Sequence, residues 1–202
     1  MIMEVTEELF FNSENPRVPP TTLTPPLTSI LLHLSFKGAD LTTMEKWALA
    51  GALMSNRTIT NLKLHDLGKE GAQAIAEMLK VNAMVTFVNL KWSINGNDPD
   101  FAIGPDGAEA LADALNDTRL VTLELCNNSI GGNGACAIAN ALQCNTTLHT
   151  LKLAGEMIGD KGACAIADTL LANETLRELN LLTGGHIALL LLLFFLFVCL
   201  CH

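Results

Sequence analysis

The chain of 202 residues contains no tyrosine, and only 5% of its residues are aromatic although half are apolar. With so few rings, Leu, Ile and Ala must fill the interior, which favours many thin, similar layers over one large central core. Basic residues are also scarce, with 12 Lys and Arg against 21 Asp and Glu, and they form no run of three. This balance argues against nucleic acid or anionic lipid as a general partner, because both require clustered positive charge.

Catalytic and targeting motifs are missing as well. The chain has no G-x-S-x-G, P-loop or H-E-x-x-H sequence, so we predict that it is not an enzyme and takes no cofactor. The GGNG sequence at Gly131–Gly134 resembles a phosphate loop but lacks the lysine of such loops. The N-terminus has neither the basic nor the apolar region of a secretory signal. The six cysteines show no ligand spacing, so we expect them to be reduced, without metal, in the cytoplasm.

The chain does contain an internal repeat. GACAIANAL at Gly134–Leu142 returns as GACAIADTL at Gly162–Leu170, 28 residues later. Related stretches begin at Glu45, Gly71 and Gly107. Each has apolar or Ala residues at the i, i+3, i+4 and i+7 spacing of one helix face, so we predict a helix in each copy.

A second pattern, L-x-x-L-x-L, precedes each helical stretch and is typical of a short strand with one buried face. Its six copies start at Leu31, Ile59, Val85, Leu120, Leu148 and Leu176. The intervals between these starts are 28, 26, 35, 28 and 28 residues. The longest interval holds a loop insert between Leu90 and Ile103, rich in Gly, Asn and Asp. Each unit therefore reads as strand, loop, helix and turn, and such units bury their apolar faces by stacking.

Five N-x-[ST] sequences begin at Asn56, Asn116, Asn127, Asn145 and Asn173. All but Asn127 lie just after a helical stretch, where the chain must turn back toward the next strand. Asparagine is favoured in turns because its side chain bonds to nearby backbone groups. We interpret these four asparagines as turn residues rather than as glycosylation sites.

The complete unit, seen best in LVTLELCNNSIGGNGACAIANALQCNTTL (Leu120–Leu148), resembles the ribonuclease-inhibitor type of leucine-rich repeat. The resemblance covers residues 31–181. It implies an α/β horseshoe segment of five to six units of about 28 residues, with a parallel sheet on the concave side. The asparagine ladder of that repeat is incomplete here, with Asn128 in one copy but Ala39 and Glu156 in others. Similar repeats occur in nucleotide-binding oligomerisation receptors and Ran GTPase-activating proteins.

The resemblance implies a scaffold that binds an unidentified protein, without a small-molecule substrate. We expect contacts on the concave face, whose N-terminal half is basic, and on the insert Trp92–Ala102. The residues assigned to this surface are Lys63, His65, Asn89, Lys91, Trp92, Glu124 and Lys152. Trp92 is either an interface anchor or a side chain that packs the insert down. The alternative function is regulation of a small GTPase, which would require a basic residue on a strand-edge loop, such as Arg57 or Arg119.

The two ends differ from the repeat. Residues 1–26 are rich in proline and are expected to be disordered, ahead of a repeat domain at 27–183. Ile187–Cys201 is an uninterrupted apolar run of 15 residues. As a helix it would span about 22 Å, short of the ~30 Å hydrocarbon core. Three interpretations stay open: a tail anchor that holds a cytosolic solenoid on a membrane, translated non-coding sequence at a wrong gene end, and a buried capping helix.

Overall fold

The computed structural model describes residues 32–38, 41–93 and 98–181, in which six strands alternate with five α-helices. The strands are β1 (His33–Lys37), β2 (Asn61–His65), β3 (Phe87–Asn89), β4 (Thr122–Glu124), β5 (Thr150–Lys152) and β6 (Glu178–Asn180). They form one parallel sheet in sequence order. Leu62 pairs with Val88, and Leu123 pairs with Leu151, so the same repeat position is aligned from strand to strand.

Each of the first five strands is followed by a helix, and each helix packs on the helices of the neighbouring units. The helices are α1 (Thr43–Ser55), α2 (Gly68–Val81), α3 (Gly104–Ala114), α4 (Gly131–Leu142) and α5 (Gly159–Leu170). Short 3-10 helices lie at Pro99–Phe101 and Leu115–Asp117. This order of elements confirms the predicted α/β leucine-rich-repeat solenoid with a parallel sheet.

The repeated aliphatic residues form a continuous core between the sheet and the helices. Leu62, Leu123 and Leu151, at the strand centres, have 0% exposed surface. The predicted anchors between strand and helix are also buried in the inner units: Leu67, Ile103, Ile130 and Ile158. Burial of each such side chain stabilises the fold by about 2 kcal/mol. The core extends along the sheet because each unit covers the apolar face of the next.

The Gly-Ala pair that recurs in the helices allows neighbouring helices to approach closely. A Cβ atom on Gly134 would lie 2.9 Å from the Cβ of Ala108, in the preceding helix. A Cβ atom on Gly162 would lie 2.7 Å from the Cβ of Ala135. Contacts this short are not tolerated between carbon atoms, so the repeated glycine reflects helix packing.

The GGNG sequence has a structural explanation in the same helix. Gly131 is the first residue of α4 and has a φ of +61°, a left-handed conformation that a side chain would strain. Gly134 is required by the contact with Ala108. A turn and a helix contact therefore account for both outer glycines of this sequence.

Asparagine side chains join the ends of four of the five described helices to the next strand. The Oδ1 of Asn145 accepts the N–H groups of Thr147 and Leu148 at 3.0 and 2.8 Å, and its Nδ2 donates to Leu115 O at 2.6 Å in the preceding unit. Other turns use the same type of residue: Asn56, Asn82 and Asn173. Because Nδ2 of Asn145 is engaged internally, attaching a glycan there would break the link between units.

The prediction that Asn116 has this role is wrong. Asn116 lies exposed within the 3-10 helix Leu115–Asp117. Thr118 occupies the turn position instead, where its hydroxyl donates to Leu115 O and accepts the N–H of Leu120, both at 3.3 Å. Thr118 follows Gly104, the first residue of α3, at the same distance as Asn145 follows Gly131, the first residue of α4, so the two side chains occupy the same repeat position. The N-x-[ST] sequence at Asn116 begins two residues before that position. Asn82 has the turn role after α2, although no N-x-[ST] sequence indicates it.

A second set of links lies where strands lead into helices. Asn128 Nδ2 donates to Leu90 O at 2.9 Å, and its Oδ1 accepts the N–H of Ile103 at 3.3 Å. In the next unit Glu156 takes the same place and is fully buried. Its two carboxylate oxygens accept the N–H groups of Asn128 and Ile130 at 2.7 and 3.0 Å. The predicted gap in the asparagine ladder is therefore bridged at this unit by a carboxylate.

Several predictions concern residues outside those described: the N-terminal segment 1–26, Leu31, Ala39, the centre of the insert at 94–97, and the apolar run Ile187–Cys201. Among the helices that the structure describes, none has the length and apolar character needed to cross a membrane. At the C-terminal edge of the described sheet, Leu176, Leu179 and Leu181 are only partly buried. Their counterparts one unit earlier, Leu148, Leu151 and Leu153, are fully buried.

Candidate functional site

Side chains that alternate with the buried leucines point away from the helices and form what we call the open face of the sheet. This is the predicted concave side. Strand register arranges its residues in rows. The central row contains Ser35, Lys63, Asn89, Glu124, Lys152 and Asn180. The row before it contains His33, Asn61, Phe87, Thr122, Thr150 and Glu178. All are exposed or half-buried. The central position of L-x-L predicts the first of these rows but not the second.

In the C-terminal half of the open face the polar groups satisfy one another. The carboxylate of Glu124 accepts from Asn89 Nδ2 at 2.6 Å and pairs with Lys152 Nζ at 2.8 Å. Lys152 Nζ also lies 4.0 Å from the carboxylate of Glu178. The hydrogen bond that Lys152 donates to the Glu124 carboxylate raises the pKa of Lys152 above its ordinary value. The structure thus brings together three of the predicted contact residues, Asn89, Glu124 and Lys152, and the charges of the latter two neutralise each other.

The N-terminal half carries an excess of positive charge. Lys37 is paired with His65 in the strand register, and Lys91 follows β3 in line with them. Lys37 Nζ lies 3.4 Å from the buried carboxylate of Asp66. Of the described carboxylates, none lies within 4.0 Å of the Lys63 or Lys91 amine. We call Lys37, Lys63, His65 and Lys91 the basic cluster.

His65 lies at the centre of this cluster. Burial lowers its pKa, the nearby Asp66 carboxylate acts against that effect, and the surrounding lysines Lys91, Lys37 and Lys63 lower it further. Lys63 Nζ lies 5.9 Å from the centre of the Phe87 ring, which places an aromatic side chain beside the cluster. Asp66 cannot balance the whole cluster at the surface, because only 3% of its side chain is exposed and it also accepts the N–H of Ser93.

Trp92, the predicted aromatic contact residue, is half-buried. Its backbone N–H donates to Cys126 O at 3.2 Å, which attaches the start of the insert to the next unit. Its indole Nε1 is shielded from solvent and has no hydrogen-bond partner among the described residues. This placement favours the packing interpretation over the interface anchor.

The described residues do not assemble a metal centre. Within the three described ranges, no three His, Cys, Asp or Glu side chains come together as a metal-binding group. Cys126, Cys136, Cys144 and Cys164 are free thiols, and the latter two are exposed. His149 Nδ1 lies 2.7 Å from Thr147 O, which holds the ring in a local turn. Cys199 and Cys201 lie beyond the described residues.

The repeated strand and helix, the aliphatic core and the asparagine turns define a leucine-rich-repeat protein. In agreement, a family profile described as "Leucine Rich repeat" matches residues 55–76. A comparison with curated proteins gives no match. The more specific assignment to the ribonuclease-inhibitor type stays a prediction.

Solved structures of the same fold support this class. One is named "Leiomodin-1 Actin-Binding Site 2 (ABS2)"; it is 22% identical over 75% of this chain and 84% of that chain, with a TM-score of 0.56. A second is the tropomodulin C-terminal domain of Caenorhabditis elegans, 12% identical over 77% of this chain and 96% of that chain, with a TM-score of 0.58. At these identities the similarity shows the fold.

Proposed function

We propose that this chain is a non-catalytic module that binds a protein through the open face of its sheet. All-parallel sheets are normally covered by helices on both faces. Here the helices cover one face, and the side chains on the other are exposed or half-buried. This uncovered parallel sheet is the observation that carries the proposal.

The open face also has the composition expected of a contact surface. Its central row changes chemistry at every strand, whereas the buried face repeats Leu, Ile or Val. A rigid scaffold with varied polar side chains can recognise one partner and reject others. We also propose that the protein functions in the cytoplasm, where the free thiols of its described cysteines remain reduced.

The test uses a steric block that leaves the charge of the open face unchanged. Thr122→Trp places a large ring in the middle of the open face, and Glu109→Trp places the same ring on the exposed side of α3. The immobilised full chain and both variants are incubated with cell extract, and the retained proteins are quantified by mass spectrometry. Proteins that bind the wild type and Glu109→Trp but not Thr122→Trp support the proposal. Equal retention by all three chains contradicts the assignment to the open face.

Purified actin is a defined probe for the same experiment, because the leiomodin structure is named as an actin-binding site. Cosedimentation with filaments and binding to monomers are measured for the wild type and both tryptophan variants. If actin binds the wild type and Thr122→Trp abolishes this binding, actin is identified as a partner of the open face. Absence of binding excludes actin as the partner, and the experiment with cell extract then tests the wider proposal.

The alternative function, regulation of a small GTPase, requires an accessible basic residue near a loop. Arg57 Nη1 donates to Met54 O at 3.0 Å and to Asn56 O at 3.3 Å, which holds its side chain against the end of α1. Arg119 is exposed between the 3-10 helix and β4. GTP hydrolysis by Ran with the wild type, Arg57→Ala and Arg119→Ala separates the two functions: acceleration that one variant abolishes favours the alternative.

A further inference from the structure

The two halves of the open face differ in how their charges are balanced. Lys152 in the C-terminal half pairs with Glu124 at 2.8 Å and lies 4.0 Å from Glu178. In the N-terminal half, Lys63 and Lys91 have no carboxylate within 4.0 Å among the described residues. This contrast is notable in a chain whose formal net charge is −9. Like charges kept together without partners repel one another, so their arrangement favours an anionic ligand.

The spacing of these groups suits a short peptide segment. Lys37, His65 and Lys91 lie across three adjacent strands, a width of about 10 Å. Lys63 stands on the same strand as His65 and two residues before it, a distance of about 7 Å along the strand. The Phe87 ring next to Lys63 supplies an apolar contact. The cluster is therefore wide enough to face two or three carboxylates with a nonpolar residue between them.

We propose that the basic cluster binds an acidic segment of the partner protein, with carboxylates placed against Lys63 and Lys91. These two amines are the primary contacts because both are exposed and neither is neutralised by a described residue. Lys37 is partly neutralised by Asp66, so it contributes less. The proposal rests on the proposed protein-binding function and specifies the chemistry of the partner.

A protein segment fits this surface better than a nucleic acid. Nucleic-acid sites follow the phosphate backbone with an extended stripe of Lys and Arg, and affinity grows with each phosphate neutralised. Here the excess of positive charge ends at β3, because Glu124 and Glu178 lie on the strands beyond and offset Lys152 between them. An extended polyanion that continued along the sheet would meet these carboxylates.

The experiment measures fluorescence anisotropy of a labelled peptide of alternating Glu and Ala, added to the full chain at low salt. A peptide with Gln in place of Glu and a single-stranded oligo-dT are the comparison probes. The test variant carries Lys63→Glu and Lys91→Glu. The control variant carries Lys80→Glu and Lys161→Glu, which make the same charge change on exposed positions of α2 and α5.

We expect the Glu peptide to bind the wild type and the control variant, and the Gln peptide to bind neither. Reversing two contact charges should weaken binding by at least about tenfold. Thermal melts show whether each variant stays folded. Equal weakening in both variants, failure of the wild type to bind the Glu peptide, or tighter binding of oligo-dT overturns the proposal. If Thr122→Trp still loses captured proteins in that case, the protein-binding function stands and only the acidic partner is wrong.

Discussion

The carboxylate of Glu156 accepts the backbone N–H of Asn128 at 2.7 Å, although the two residues belong to successive repeats. Its second oxygen accepts the N–H of Ile130 at 3.0 Å, and the side chain has no exposed surface. Burial raises the pKa of Glu156 to about 7, and the backbone donors only partly oppose this effect. A group that joins two units of the solenoid therefore changes charge near neutral pH.

The stability of the fold should fall as the pH rises toward neutrality. Since the pKa of Glu156 is higher in the folded chain than its ordinary value of 4.5, the folded state binds more protons between pH 4.5 and about 7. The stabilisation from this group is full below pH 4.5 and is lost as the pH rises through about 7. The total loss is about 3 kcal/mol. Urea unfolding at a series of pH values measures it.

Glu156→Gln tests this assignment because the amide cannot ionise. In this variant the free energy of unfolding should no longer fall between pH 4.5 and about 7. At pH 5 the variant should be less stable than wild type by about 1–3 kcal/mol, since its NH2 group cannot accept an N–H. Glu174→Gln, at an exposed position, is the control and should keep the wild-type slope. Parallel curves for wild type and Glu156→Gln would show that another group causes the pH dependence.

Replacing a turn asparagine should destabilise the fold strongly. Asn145→Ala removes an acceptor for two N–H groups and the donor to Leu115 O, all in a buried position. Leaving these groups unpaired costs about 3 kcal/mol. Asn116→Ala should change stability by less than about 0.5 kcal/mol, because surface substitutions away from such contacts are nearly neutral. Comparable losses in the two variants, measured by urea unfolding, would contradict the assignment of Thr118 to the turn.

Two glycine-to-alanine substitutions should have opposite effects. Gly162→Ala places a Cβ 2.7 Å from Ala135 Cβ and 3.1 Å from Ile158 Cβ, so α4 and α5 must separate. We expect a cost of about 1–3 kcal/mol. Gly51 lies in α1 with no atom within 4 Å of an added Cβ, and Gly51→Ala should gain about 0.5–1 kcal/mol from helix propensity. Thermal melts distinguish the two; stabilisation by Gly162→Ala would refute the close-approach explanation.

The apolar run Ile187–Cys201 is tested by alkaline carbonate extraction of cells that express the full chain or a version ending at Thr183. As a tail anchor it should keep the full chain in the membrane pellet while the shorter chain is released. Release of both leaves two interpretations, a wrong gene end and a capping helix, and a capping helix would cover the half-buried Leu176, Leu179 and Leu181 at the edge of the sheet. In that case the shorter chain should unfold at a lower temperature.

Much of the fold could be predicted because its signals are local and recur. The face formed by Ala135, Ile138, Ala139 and Leu142 follows from helical spacing, and all four residues are buried. The alternation around Leu123 identifies both the core and the open face. The sequence pattern predicts the open face less completely, because Phe87 lies in the row beside the central position of L-x-L.

The amino-acid sequence alone predicts the period, the order of strand and helix, and the residues that face the core, because each depends on neighbours a few positions apart. The folded structure is needed to show that Glu156 reaches back to Asn128 and that Glu124 neutralises Lys152. Both contacts join residues about one repeat apart. Hydrogen bonds and ion pairs act over a few ångströms, so they are set by strand register and by turn geometry, which composition and spacing leave open.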